Sequence, residues 1–436
     1  MRIRATSSSV IPGENSGPRT ILDQQERSLE VSWASFNIVK SINDRGTRRL
    51  YFLLLIGFAT FGVIFTIIGA SLPHIIAVFH WSYALTGTVL AANAVGYFVS
   101  TFICGILVQR IAPKKVLVFG LILGAASMSL FIRWPSPLLN MALNFCIGLC
   151  QGTIEVVTNL EVMHMERKGQ SRLLNMVHAA FSVGGIVGPA AVGFLLGAGK
   201  GGIPVFATTA AVLAVMALLF GLSPFPRIIQ QDGRDRGKGL RLMLQPLLLL
   251  ITFFLLLYVG AELGVSTWIA EYFVQVRGST ASLGAFALSL FWIGLLVGRF
   301  SLSLAYRGSQ QEYIVLGLAV LAAAALGMML LVSSTWATAV AVFLTGLGFS
   351  GIYPLCVAIV GRYHRSGVAV GAVTTGGGVG SFTFPFLMAV LAQTVGIRGG
   401  FLFYLGLTIV LVGLAAAIIR LASSASAPEA SASGAP

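Results

Sequence analysis

The sequence predicts an all-α membrane protein with twelve transmembrane helices in two pseudo-symmetric six-helix bundles. Its composition is the first reason, because 56% of the residues are hydrophobic and only 10% are charged, which excludes an ordinary soluble globular chain. The second reason is that the apolar residues form continuous runs. A bilayer core needs ~20 apolar residues per helix, whereas a membrane strand would alternate apolar and polar positions.

Twelve runs of this kind can be read in order along the chain. They lie at about 50–72, 84–108, 113–132, 138–162, 172–197, 203–223, 245–274, 280–304, 313–333, 335–360, 367–393 and 398–421. A hydrophilic cytoplasmic linker at 224–244 divides them into bundles at 48–223 and 245–421. Residues 1–47 and 422–436 are polar or low in complexity, so we expect disordered cytoplasmic tails.

An internal repeat relates the two predicted bundles. Four landmarks in the first half recur 196 to 198 residues later, each at the corresponding place in its bundle. The pairs are Gly87 and Gly284, Arg110 and Arg307, Arg167 and Arg365, and Pro189 and Pro385. Four anchors with so little drift indicate duplication of a six-span unit, an arrangement in which a binding site lies near the midplane between the halves.

The distribution of basic residues predicts the orientation. With the N-terminus in the cytoplasm, 24 of the 28 Lys and Arg residues fall on the inner side. The exceptions are Arg133, Lys200, Arg277 and Arg398. This is the positive-inside pattern, which predicts a multi-pass protein of the inner (plasma) membrane with both termini cytoplasmic. The net charge of +14 then reflects topology and does not indicate a nucleic-acid partner.

Four acidic residues fall inside the apolar segments: Glu155, Glu161, Glu262 and Glu271. A carboxylate at a helix centre costs at least ~2.5 kcal/mol and usually faces a partner or an aqueous cavity. Glu155 and Glu262 lie nearest the middles of their segments, and neither has an acidic counterpart in the other half. Because burial disfavours the charged form of a carboxyl group, both are candidate proton carriers.

Polar residues one turn from these acids are candidates for binding a solute. Gln151 and Asn159 share a helix face with Glu155, and Tyr258 and Ser266 share one with Glu262. The alternative for the first stripe is a structural hydrogen-bond network.

Four further residues are possible lining groups. Trp268 could stack on a sugar ring or belong to the aromatic belt at the membrane interface. His178 could join a proton relay, bond a substrate hydroxyl, or serve as a structural histidine. Asn93 and Trp292 complete the set of candidate binding residues.

Residues 48–421 resemble the major facilitator superfamily. The segment GILVQRIAPKKVL (105–117) is similar to the superfamily's glycine–aspartate–arginine loop, which implies a gating role for Gly105 and Arg110. Gln109 stands where relatives have the acid, so the charge latch of that loop is not expected here.

Three short segments are similar to the fucose–glucose–galactose proton symporter branch and its sodium–glucose relatives. They are TIEVVTNLEV (153–162), NMVHAAFSVGGIVGP (175–189) and YVGAELGVSTWIAEYF (258–273). The resemblance implies proton coupling by Glu155 and sugar contact by Asn159. The first span, GASLPHI (69–75), lacks the acid of fucose symporters. Coupling would then fall to Glu155 or Glu262, or the protein would be a uniporter or antiporter.

The sequence therefore predicts a monomeric secondary transporter that moves a small polar solute of the sugar class together with protons. One alternative is an exporter of amphipathic or lipophilic compounds, including lipids, which the 29 Phe residues would suit. A membrane sensor without turnover is a second alternative. No phosphate-binding loop, metal-spaced His cluster or nucleophile elbow is present, so we expect no enzyme activity, no cofactor and no metal site.

Overall fold

The fold is a bundle of long helices. The computed structural model describes residues 45–166, 172–225, 245–305, 310–363 and 367–425, and all regular structure in these ranges is helical. The N-terminal half contains α1 (Arg45–Phe79), α2 (Tyr83–Leu107), α3 (Pro113–Leu130), α4 (Pro137–Met165), α5 (Arg172–Gly197) and α6 (Ile203–Leu222). The C-terminal half contains α7 (Pro246–Arg277), α8 (Ala281–Ala305), α9 (Gln311–Leu331), α10 (Thr335–Phe349), α11 (Ile352–Tyr363) and α12 (Gly367–Ala425).

Local sequence signals account for where several helices begin. The side chains of Ser82, Ser136 and Ser334 accept hydrogen bonds from the first turns of α2, α4 and α10. Proline occupies the first turn of α3 and α7, where its missing N–H costs nothing. These starts lie close to the predicted span boundaries.

Three of the predicted spans need comment. The tenth is broken at Ser350 and Gly351 into α10 and α11. The eleventh and twelfth are two helices that meet at a kink, with non-helical backbone at Gly396 (φ 73°, ψ 169°), and the label α12 covers both. Its apolar stretch Thr375–Ala422 is 48 residues long, enough for two crossings at ~20 residues each. The chain is therefore a multi-pass membrane protein.

The predicted tails and linker fall mostly outside the described residues. The described ranges do not include residues 1–44, 226–244 and 426–436. α1 begins at Arg45 and α12 extends to Ala425, a few residues beyond the limits predicted for the bundles.

Matching glycine contacts in the two halves reproduce the repeat. A Cβ atom placed on Gly184 would lie 1.9 Å from the Ala59 carbonyl oxygen, and one on Gly380 would lie 2.0 Å from that of Leu256. The same holds for Gly148 against Asn93 and for Gly346 against Phe291, at 2.0 Å each. Since partners in these pairs differ by 196 to 198 positions, both halves use glycine at equivalent places to bring helix backbones together.

The halves meet along four helix pairs: α1 with α7, α1 with α8, α2 with α12, and α5 with α8. Following the predicted orientation, we call the end that holds the turns 80–82, 198–202, 278–280 and 332–334 the outer end. We call the opposite end, which holds 108–112, the inner end. Gly87 of α2 lies against Ala389 of α12, and Gly69 of α1 lies against Thr267 of α7. The outer end is therefore closed by direct contact between the halves.

Candidate functional site

The first candidate acid, Glu155, is held by a tyrosine. It lies on α4 and is half-buried, and the hydroxyl of Tyr97 on α2 donates a hydrogen bond to its Oε2. Among the described residues the one salt bridge joins Arg362 to Glu312, so no cation pairs with Glu155 there. A buried carboxyl group with a neutral donor and no counter-ion is well suited to bind and release a proton.

The polar stripe on α4 extends one turn to either side of Glu155. Gln151 is buried, with 1% of its surface exposed, and Asn159 is half-buried. The Oδ1 of Asn159 is shielded from solvent and has no hydrogen-bond partner among the described residues. Such an unsatisfied acceptor is available to a hydroxyl group of a bound solute.

The second candidate acid, Glu262 on α7, lies beside Tyr258 and Arg299. Glu262 is 6% exposed and is within electrostatic reach of both groups. The Tyr258 hydroxyl donates to the carbonyl oxygen of Phe349 at 2.8 Å. Because a tyrosine hydroxyl has one hydrogen, Tyr258 can bond Glu262 at the same time only by accepting a hydrogen bond from a protonated carboxyl group.

Arg299 links the halves next to Glu262, a role that its position along the sequence did not indicate. Its Nη1 donates to the Ser182 hydroxyl of α5 at 3.1 Å, and its Nε donates to the Ser350 carbonyl at 3.3 Å. The carbonyls of Phe349 and Ser350 are left free where α10 stops. The break between α10 and α11 is thus stabilised by the two groups that surround Glu262.

Tyr353 on α11 connects the two acids. It is half-buried and lies within electrostatic reach of both Glu155 and Glu262. Glu155 belongs to one half and Glu262 to the other, so Tyr353 is near one predicted proton carrier from each half.

Aromatic residues form the neighbouring wall between α1, α5 and α8. Trp292 donates from Nε1 to the Ser266 hydroxyl at 3.1 Å, which joins two predicted binding residues. The Trp292 ring packs edge-on against Phe65 and Phe181, with centroids 6.2 and 5.7 Å apart. Neither phenylalanine stood out in the sequence, because 29 such residues are scattered through the spans.

Asn93 and Trp268 lie apart from this cluster, whereas His178 lies beside the aromatic residues of α1 and within electrostatic reach of Arg299. The Asn93 amide donates to the side chain and to the carbonyl of Asn144, both at 3.1 Å, and so joins α2 to α4. His178 is exposed and packs against Phe58. Trp268 is fully buried at the outer closure, with its ring edge-on to Tyr83.

The predicted gating loop lies at the inner end. Gly105 has open space where a side chain would project, and Arg110 is exposed. Gln109, which stands in place of the expected acid, donates to the Gly105 carbonyl at 3.1 Å. The glutamine thus satisfies a carbonyl near the end of α2.

Glu161, another acid inside an apolar span, lies near the inner end of α4. Glu161 is fully buried, and neither of its oxygens has a hydrogen-bond partner among the described residues, which omit the adjacent segment 167–171. Within the described ranges, no group of three or more His, Cys, Asp or Glu side chains is arranged to hold a metal ion.

Comparisons with known proteins agree with this architecture. The family model described as Major Facilitator Superfamily matches residues 53–310, which is more than half of the chain. An uncharacterised MFS-type transporter of Yersinia pestis is 23% identical over 71% of this chain and 80% of its own length.

Two solved structures illustrate the structural likeness. The nucleoside transporter NupG is 13% identical, with a TM-score of 0.70 over 86% of this chain and 100% of NupG. The fucose–proton symporter FucP of Escherichia coli is 20% identical, with a TM-score of 0.59 over 86% of this chain and 99% of FucP. At these identities the likeness establishes the fold.

Proposed function

The chain belongs to the major facilitator superfamily, a family of transporters rather than enzymes, and from that premise we propose that it couples entry of a sugar-like solute to protons. In this proposal the monomer works in the inner membrane by alternating access, with both termini in the cytoplasm. Glu155 and Glu262 carry the proton. Gln151, Asn159, Ser266 and Trp292 contact the solute.

The proposal rests on half-buried Glu155 and buried Glu262, which belong to opposite halves and form no salt bridge among the described residues. Each has a tyrosine hydroxyl beside it, and Tyr353 is within electrostatic reach of both. An ionised carboxylate is expensive at this depth, so each acid gains stability by taking up a proton when water cannot reach it. Rocking of the halves would expose the acids to one side and then the other.

The aromatic wall supports a ring-shaped solute. The rings of Trp292 and Phe65 lie beside the Ser266 hydroxyl, and a conformation that uncovers the buried Trp292 ring would combine stacking with hydrogen bonding, as a sugar needs. The likeness to FucP and NupG places fucose and nucleosides among the compounds to test first.

The same aromatic wall favours one second candidate, an exporter of amphipathic compounds. Phe58, Phe61 and Phe181 continue the wall along α1 and α5, with ring centroids 4.8 to 6.2 Å apart. A surface of this kind suits an apolar tail as well as a ring face.

Transport by reconstituted protein tests the proposal. Purified protein is placed in vesicles that contain a pH-sensitive dye, and hexoses, pentoses, deoxy-sugars and nucleosides are added without a pre-set pH gradient. We expect one of them to evoke proton entry. Glu155→Gln or Glu262→Gln should reduce the signal to that of empty vesicles. Tyr97→Phe should slow it by ~3- to 10-fold, the value of one hydrogen bond.

Glu312→Gln is the matched control, because Glu312 pairs with Arg362 away from the central acids and should leave the signal in place. Entry of labelled solute without proton entry would contradict the coupling and indicate a uniporter. Failure of every solute to enter would contradict the substrate class and leave amphipathic export as the candidate.

A further inference from the structure

We propose that Glu271 is a second proton-binding site, which controls the outer gate: it is protonated while the outer end is closed and loses its proton when that end opens. The inference rests on the alternating access of the proposed function. It requires neither a sugar substrate nor coupling by Glu155 and Glu262.

Glu271 lies at the seam between the halves. It is on α7, its side chain is fully buried, and its Oε1 accepts a hydrogen bond from the Tyr83 hydroxyl of α2 at 3.1 Å. Its Oε2 has no hydrogen-bond partner among the described residues. Since Tyr83 and Glu271 belong to opposite halves, separation of the outer ends must break their bond.

The two arginines at the outer ends of α7 and α12 are bonded to other groups. On α7, Arg277 donates to the Tyr272 hydroxyl and the Met329 carbonyl at 3.1 and 2.7 Å. On α12, Arg398 donates to the Leu330 carbonyl at 3.2 Å. On α1, His74 lies beside Gly201 and Gly202.

The groups that face Glu271 are therefore neutral. Tyr83 of α2 faces it, and Gln275 of its own helix lies within hydrogen-bonding reach. On α8 the polar residue at this end is Ser282, which donates to the Gly193 carbonyl at 2.7 Å. No cation in the described residues forms a salt bridge with Glu271. Burial of an ionised carboxylate among only neutral donors is costly, and protonation removes that cost.

The hydrogen bond is part of a larger latch between the halves. The Oε1 of Gln393 on α12 accepts from the backbone nitrogens of Tyr83 and Ala84, at 2.9 and 3.4 Å. The Tyr83 ring also packs edge-on against Trp268, with centroids 6.0 Å apart. These contacts hold Tyr83 against the carboxyl group of Glu271. When the contacts form, the outer end closes and Glu271 becomes buried.

The sign of the pH dependence follows from the proton balance. Closing the outer end buries Glu271 and takes up one proton, and opening it returns the proton to the outer solution. Low pH therefore favours the closed state. For a single proton, the ratio of closed to open molecules changes at most tenfold per pH unit.

A distance measurement across the outer end tests the inference without any substrate. Spin labels are attached through Lys200→Cys in the α5–α6 turn and Ser333→Cys in the α9–α10 turn, which are both exposed. The native cysteines lie inside helices, and three of the four are buried, so the introduced pair labels first. The label distance is measured in nanodiscs between about pH 5 and about pH 9, a range above the ordinary value for glutamic acid. We expect the long-distance population to grow as the pH rises.

Three variants identify the group responsible. Glu271→Gln should stay closed across the whole range, because it is permanently neutral and still accepts from Tyr83. Gln393→Ala should open more at every pH but keep the pH dependence. The wild-type dependence should persist in a Glu155→Gln, Glu262→Gln background.

Any of three results would overturn the inference. They are a wild-type distance that does not respond to pH, an unchanged pH dependence in Glu271→Gln, and a dependence that disappears in the Glu155→Gln, Glu262→Gln background. If the solute panel is silent while the pH-dependent distance survives in that background, the proposed sugar–proton function fails and the outer proton site stands.

Discussion

Arg299 contacts both halves of the molecule and also faces the acid Glu262. The guanidinium reaches Ser182 in one half and the Ser350 carbonyl in the other, while its charge faces Glu262. A lysine has no planar fork and cannot make both contacts from one position. Arg299 therefore acts on the central acid and on the interface between the halves together.

We predict that Arg299→Lys lowers the maximal transport rate by ~10- to 100-fold, the value of one hydrogen bond from a charged group. The positive charge remains near Glu262, so the loss should reflect geometry. Initial rates of solute entry over a range of concentrations measure the effect. Arg133→Lys, at an exposed site on the outer end, is the control. Equal rates for both variants would show that the two contacts of Arg299 do not matter for turnover.

Some residues of the site could be predicted from the sequence, and others could be found only from the structure. Glu155 and Glu262 could be singled out because an acid inside an apolar span is costly. The importance of Tyr97, Tyr353 and Arg299 depends on contacts between different helices, which helical spacing does not reveal. By sequence alone, Arg299 counts among the 24 basic residues of the predicted inner side, because it lies towards the inner end of its span. Trp268 is fully buried at the outer closure, and its two predicted roles stay predictions.

At the scale of elements, the tenth predicted span is broken into two helices, and this break has a chemical role. α10 ends at Phe349 and α11 begins at Ile352, so carbonyl groups that a continuous helix would satisfy are free. Tyr258 and Arg299 donate to two of them. Pro354 lies within this span and predicts an interruption there, but the side chains that satisfy the break come from α7 and α8, which the sequence of the span does not reveal.

We predict that Gly148→Ala and Gly346→Ala destabilise the protein to a similar degree, by ~1–3 kcal/mol, because each added methyl group would overlap a carbonyl oxygen on the neighbouring helix. Thermal unfolding of the purified variants measures the change. Gly317→Ala on α9, where no atom lies within 4 Å of the added carbon, is the control and should not be destabilised. A large loss in only one half would mean that the repeated contacts are not energetically equivalent.

At the scale of the whole molecule, the predicted spans and the two-bundle fold follow from composition and repeat alone. Continuous apolar runs fix the number of crossings, and an offset near 197 residues relates the halves. The conformation could not be predicted in this way, because transport requires one sequence to form more than one closure. The outer closure became visible only through contacts such as that of Gly87 with Ala389.

We predict that Gly87→Leu holds the outer end open and prevents solute accumulation. A Cβ atom at position 87 would lie 2.3 Å from that of Ala389, so α2 and α12 could not approach as they do now. The distance between labels at positions 200 and 333 should shift to its long population at every pH. Gly221→Leu on α6, where the added carbon meets no atom within 4 Å, is the control. A Gly87→Leu protein that still closes would contradict the assigned role of this contact.

The latch at Gln393 also has a consequence for how the protein is made. Tyr83 and Gln393 are 310 positions apart, so the ribosome completes almost all of the later spans before α2 receives this partner at its first turn. Until then the amide groups of Tyr83 and Ala84 must bond water or lipid headgroups, since an unpaired amide is not tolerated in the apolar core. The first turn of α2 must therefore lie at the membrane–water interface, both during insertion and whenever the outer end is open.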